Sequence, residues 1–220
     1  MGQIRVTGTG RLKVKPDTTR LVMTLSGTYK DYEDAMKHSA DDTEDVKKSI
    51  MKFGIGKEDI KTVTFSVDAS YENYNKKGEY DRHFVGYEYN HVLKVEFANN
   101  NELLGKILYA LAHSDTDPEI SIRYTVKDPE QEKTKLLGDA LRDAERKAEA
   151  LAHAAGEKLS EIKSIDYSWG EVEIESRLGS GFYMDRGKEL LADAAGYDLD
   201  IEPDDIEMKD TVTATWDLID

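Results

Sequence analysis

Cysteine is absent from the 220 residues, which excludes disulfides, a thiolate zinc site, an iron–sulfur cluster and a cysteine nucleophile. Basic residues are in deficit: 30 Lys and Arg stand against 45 Asp and Glu, a net charge of −15. A chain of that sign is a poor partner for nucleic acid, whose phosphates must be neutralised by Lys and Arg, and for an anionic membrane surface. No apolar run reaches the length of about 18 residues that a membrane-spanning helix requires, so no transmembrane segment is expected. Met1–Gly2–Gln3 passes straight into Ile4–Arg5–Val6–Thr7, without the basic and apolar regions of a signal peptide. The expectation is a cytoplasmic protein, or a periplasmic or cell-envelope one if a leader has been removed.

Catalytic signatures are missing too. His38, His83, His91, His113 and His153 include no i, i+4 pair and no His-Glu-x-x-His, so a helical zinc site has no support. Neither Gly-x-Ser-x-Gly nor a P-loop occurs. Gly8-Thr9-Gly10 fails as a dinucleotide motif because no helix follows it; it reads instead as a bulge or a close backbone approach. His91 falls on the apolar register of its strand, where a core or hydrogen-bonded role outweighs catalysis. No catalytic, cofactor-binding or metal residue is assigned.

What is present is a soluble, heavily charged globular composition, 39% apolar and 34% charged. At about 150 residues per domain the length suits one or two domains. Alternating apolar residues predict strands over 3–15 and 18–29. Met36, Ala40, Thr43, Val46, Ile50 and Phe53 recur at helical spacing, with Asp31 placed to cap the helix and Gly54 and Gly56 to end it. A long hairpin spans 60–97, with strands beyond the usual length. Residues 99–101 cap a short helix carrying Leu103, Leu104, Ile107, Leu108 and Leu111. A strand follows over 120–126, then a helix from Pro129 to Ala155 with an alanine-rich seam ended by Gly156. A strand over 159–167 needs a bulge or turn to reconcile Ile162 with Ile165. Residues 170–200 form a charged insert anchored only by Phe182, Tyr183, Met184, Leu190, Leu191 and Tyr197. Ile206 and Met208, then Val212 to Leu218, predict a closing strand pair. The coarse order β-β-α-β-β-α-β-α-β-β is that of an α+β protein with mostly antiparallel sheet.

Two clusters invite a functional reading. Asp198, Asp200, Glu202, Asp204, Asp205 and Glu207 fail the EF-hand template, since Pro203 takes the glycine position and Lys209 that of the bidentate glutamate; a solvated acidic loop is the better reading. Around the hairpin tip, Tyr71, Tyr87 and Tyr89 fit the buried face. Tyr74, Tyr80 and Phe84 lie outside the alternation and are the candidate interface residues, as exposed aromatics favour protein contacts.

Ile4-Arg5-Val6-Thr7-Gly8-Thr9-Gly10 and Val14-Lys15-Pro16-Asp17 resemble the opening of SIMPL-domain proteins. The resemblance continues through Gly54-Ile55, Asp59-Ile60-Lys61-Thr62, Tyr71, Gly86-Tyr87 and Asn90. It extends through Asp128-Pro129, the helix Ala140-x3-Ala144-x2-Lys147-Ala148, and Ile201 to Trp216. It spans nearly the whole chain as a single SIMPL-like domain over 1–220, with the variable charged insert at about 170–200. The resemblance implies an α+β fold and, for some relatives, large homo-oligomers; relatives include periplasmic and outer-membrane immunogenic proteins. No catalytic residues or cofactor come with it. It implies a non-enzymatic, self-assembling bacterial protein with a stress- or envelope-linked role, whose partners are itself and other proteins but not nucleic acid. The alternative is a peptide or small-ligand binding module with the 170–200 insert as a lid; an unrecognised hydrolase is third.

Overall fold

A computed structural model describes residues 2–76, 79–167, 174–177 and 201–219, with the backbone alone at 73–76 and 79–81. The elements run β1 (Gln3–Val14), β2 (Thr18–Tyr29), α1 (Tyr32–Met51), a 3-10 turn (Lys57–Asp59), β3 (Lys61–Lys76), β4 (Glu79–Ala98), α2 (Asn101–Ala112), β5 (Glu119–Thr125), α3 (Pro129–Ala155), β6 (Lys158–Asp166), β7 (Ser176–Arg177) and β8 (Ile206–Ile219). The fold is α+β, and the chain divides into two compact units, each built from discontinuous segments.

One unit comprises residues 1–17, 125–176 and 203–220. Its sheet has the order β1-β8-β6. β1 pairs antiparallel with β8 without a break, from Gln3 opposite Asp217 to Val14 opposite Ile206. Residues 206–219 are thus one continuous strand rather than the expected pair: the alternation of buried Ile206, Met208, Val212, Ala214 and Trp216 never breaks. Helix α3 lies on β1 and β8 through Leu136, Ala140, Ala144, Ala148 and Ala152. The expected stripe holds at Ala140, Ala144, Ala148 and Ala152, but Leu151 and Ala155 are exposed. Contact is close because both faces are stripped of side chain. A Cβ on Gly8 would collide with the Ala140 carbonyl oxygen and the Ala144 amide, and one on Gly10 with the Leu136 carbonyl oxygen. Gly8 and Gly10 therefore mark a close backbone approach, not a bulge. Asp128 caps α3 by accepting from the Gln131 amide at 3.0 Å, and Gly156 ends it in the left-handed conformation, φ +80°. The expected irregularity of β6 is two register shifts flanking Ile162.

The other unit comprises residues 18–124 and 177–202. Its sheet has the order β3-β4-β2-β5-β7. Helices α1 and α2 close one core around Leu21, Met23, Val46, Ile50, Leu93, Leu104, Leu108 and Tyr124. Asn100 caps α2 by accepting from the Leu103 amide at 3.0 Å. Helix α1 is rotated from the sequence stripe: Ala35, Ser39, Thr43, Val46, Ser49 and Ile50 are buried, whereas Met36 and Ala40 are exposed. Small polar side chains occupy part of its inner face because that face meets His91 and not only apolar residues. The tyrosine expectation also divides. Tyr89 is buried, Tyr87 is half-buried and Tyr71 is 44% exposed. The cause is the length of the ribbon: β2 pairs with β4 only as far as Tyr29 opposite Tyr87, while β3 follows β4 on to Glu79.

Most of the 170–200 insert, including its six expected anchors, lies outside the described residues. One stretch within it is regular, and its anchor is a residue the pattern did not single out. Ile174 is buried with Val126, Leu136, Ile206 and Met208, and its carbonyl accepts from the Thr125 hydroxyl at 2.7 Å. After the insert, the Ile201 carbonyl accepts from the Asn101 side-chain amide at 3.1 Å.

Candidate functional site

Three places on the described surface bring chemistry-bearing side chains together. The first is the aromatic face of the ribbon. A register shift between Ser70 and Tyr71 places Tyr71 opposite Phe84, so Phe84 joins the face that carries Tyr87. That shift is why Phe84 departs from the sequence alternation. Rings then follow one another: Tyr71 to Phe84 at 5.7 Å, Phe84 to Tyr87 at 5.4 Å, and Tyr87 to Tyr32 at 5.6 Å, all edge-on. The Arg82 guanidinium sits 4.4 Å above the Tyr71 ring. Phe84 is 46% exposed and Tyr32 is 52% exposed. Gly86 lets β4 pass tight against β2 here, since a Cβ would strike the Tyr29 carbonyl oxygen. Of the candidate interface residues, Phe84 lies in this cluster. Tyr74 and Tyr80 pair as backbone with Asp81 and Asn75, and their side chains lie outside the described residues.

The second place is a pocket of about 490 Å³ between α1 and the β3–β4 ladder. His91 forms its floor. Thr43 Oγ1 lies 2.8 Å and Ser39 Oγ 3.4 Å from its Nδ1, and Thr62 Oγ1 lies 2.9 Å from its Nε2. Burial, reinforced by the Lys47 ammonium, holds the imidazole below its ordinary pKa. The ring is therefore neutral near pH 7, with both nitrogens engaged by hydroxyls. That is the hydrogen-bonded role expected of His91. Met36, Ala40, Phe65 and Lys47 complete the walls. The sequence held no sign of this pocket: Met36 and Ala40 fall within the expected stripe, and only the rotation of α1 turns them outward. One helical turn before Val46, Asp42 accepts a hydrogen bond from the Tyr89 hydroxyl. Burial first, and then that bond, raise the Tyr89 pKa.

The third is a basic groove beside β1 in the other unit, lined by Arg11, Arg142, Arg146 and Lys147. Its charges are mostly spent internally. Asp143 accepts from the Thr9 amide at 2.9 Å, Lys147 at 2.7 Å and Arg146 at 2.6 Å, and these donors, Lys147 foremost, hold its carboxyl far below the usual carboxylate range. Asp139 takes Arg142. This cluster ties α3 to β1.

Among the described residues no three His, Asp or Glu side chains converge as a metal site. In the acidic segment, Glu207 pairs with Lys13 across β8 and β1, and Asp198 and Asp200 lie outside the described residues. No described helix is long and apolar enough to cross a membrane.

Two antiparallel sheets with helices packed on them define the class: an α+β protein. The chain belongs to the SIMPL family, described as a protein of unknown function (DUF541), whose model matches residues 4–216. No curated protein matches the sequence.

Proposed function

We propose that this chain is a non-enzymatic bacterial protein, with a stress- or envelope-linked role, that assembles with copies of itself through the aromatic face of its β3–β4 ribbon. The observation that carries the reading is the chain of rings Tyr32, Tyr87, Phe84 and Tyr71, aligned and half exposed where α1 no longer covers the sheet. Contiguous exposed aromatics favour contacts that remove them from water. Their uncovered surface is on the order of 300 Å², the centre of an interface that needs about 800 Å² per partner.

The adjacent edge of β3 supplies more. β3 is the outer strand of its sheet, and Thr62–Val67 holds no charge, proline or glycine. Val63 is 56% exposed and Phe65 44% exposed. An uncovered edge of this composition is a pairing hazard that proteins cover or pair.

The test places a photoreactive benzoylphenylalanine at position 84 of the purified protein. Irradiation should yield a covalent dimer whose cross-link maps to a second copy. The same label at exposed Glu149, on α3, should give none. Equal yields at both positions, or none at 84, would contradict the reading.

A further inference from the structure

We propose that the His91 pocket is a binding site for a small amphipathic anion, a ligand with an apolar body and a carboxylate head. The proposal does not rest on assembly through the aromatic rings at Phe84. Its grounds are the walls, the floor and one cation.

Met36, Ala40 and Phe65 give the pocket apolar walls. Met36 is 37% exposed and Phe65 44% exposed, so both present apolar surface to the pocket. An apolar occupant would cover them, with the release of surface water as driving force. The volume of about 490 Å³ lies in the range of small-molecule sites.

The floor supplies hydrogen bonding without charge. His91 is neutral near pH 7, and its nitrogens are spanned by Thr43 and Thr62. A register shift between Thr62 and Thr64 brings both Thr62 and Phe65 to the His91 side of β3. Bulges that re-aim side chains in this way recur beside functional sites.

Lys47 decides the sign of the head group. Among the described residues it has no ion pair or hydrogen bond, in a chain with 45 acidic residues. The one acid on the rim, Glu44, lies 3.8 Å from Lys48. A carboxylate at the rim would pair with Lys47, whereas an ammonium would meet an uncompensated like charge.

The test is a titration of the full chain, followed by amide chemical shifts, with three ten-carbon probes below their micelle concentrations: decanoate, decanol and decyltrimethylammonium. Decanoate should bind saturably, one per chain, with shifts confined to residues 36–47, 62–65 and 91. Lys47→Ala, at a surface position that the fold does not need, should weaken decanoate by about tenfold and leave decanol unchanged. A Phe84→Asp variant should bind decanoate as the wild type does, which separates this site from the ribbon. If decanol or decyltrimethylammonium binds as tightly as decanoate, the anion assignment is overturned although a ligand site remains. Absence of saturable shifts with any probe, or equal decanoate affinity in Lys47→Ala, overturns the proposal outright.

Discussion

Phe65 stands directly opposite His91 across the β3–β4 ladder, with the ring centroids 5.0 Å apart and the planes steeply inclined. The pairing puts an exposed aromatic over an imidazole whose nitrogens are already engaged, so this corner of the sheet is held by neutral hydrogen bonds. That neutrality has a cost in acid.

His91 has its pKa lowered from 6.5 by burial and by Lys47. Below that value the unfolded chain takes up a proton that the folded one resists, so the unfolded state is favoured as pH falls. Stability against urea should be full above about pH 6.5 and decline toward pH 5, before most carboxylates titrate. His91→Gln should flatten the dependence in that window. A wild-type slope retained in the variant would show that another group is responsible.

The Tyr89 hydroxyl donates to Asp42 from a buried ring and ties β4 to α1. Tyr89→Phe should cost about 1.5–3 kcal/mol, the range for a hydrogen bond to a charged group. Asp42 is half-buried, so water can re-solvate it and the loss should fall at the lower end. Thermal unfolding of the variant checks this; an unchanged midpoint would mean that the bond contributes nothing net.

Two glycines should respond in opposite directions to the same methyl group. Gly8→Ala drives a Cβ into the backbone of α3 and should destabilise by about 1–3 kcal/mol or more, as overpacking does. Gly138 lies within α3, and a Cβ there meets only the flexible Arg142 side chain at 3.5 Å. Gly138→Ala should stabilise by about 0.5–1 kcal/mol through helix propensity alone. Urea midpoints of the two variants, shifted to opposite sides of the wild type, are the expected result.

Much of the fold was legible because periodicity reports which face is buried. The alternation along β4 and the alanine seam of α3 each name their elements, whereas the unbroken β8 reads as two strands. Pairing was less legible. β1 and β2 are neighbours in sequence but belong to different sheets, and nothing local to residues 3–29 says that β1 waits for residues 206–217. Burial by degree also escaped the pattern. Tyr71 and Tyr87 occupy apolar registers, yet the sheet's cover ends near Tyr32, so register alone overstates their burial. The candidate surface was half legible: Phe84 was flagged by leaving the alternation. The His91 pocket was not, because it is assembled from three elements whose convergence depends on a bulge at Val63 that no residue type announces.

Self-assembly is the central claim, and solution mass tests it most directly. Light scattering on the intact chain should give a multiple of 24.8 kDa across the micromolar range. The net charge of −15 makes copies repel, and salt shortens the reach of that repulsion from about 30 Å at 0.01 M to about 8 Å at 0.15 M. The mass should therefore rise, or hold at its largest value, as salt is added, and Phe84→Asp should lower it. A mass of one chain at high micromolar concentration in 0.15 M salt would contradict the account.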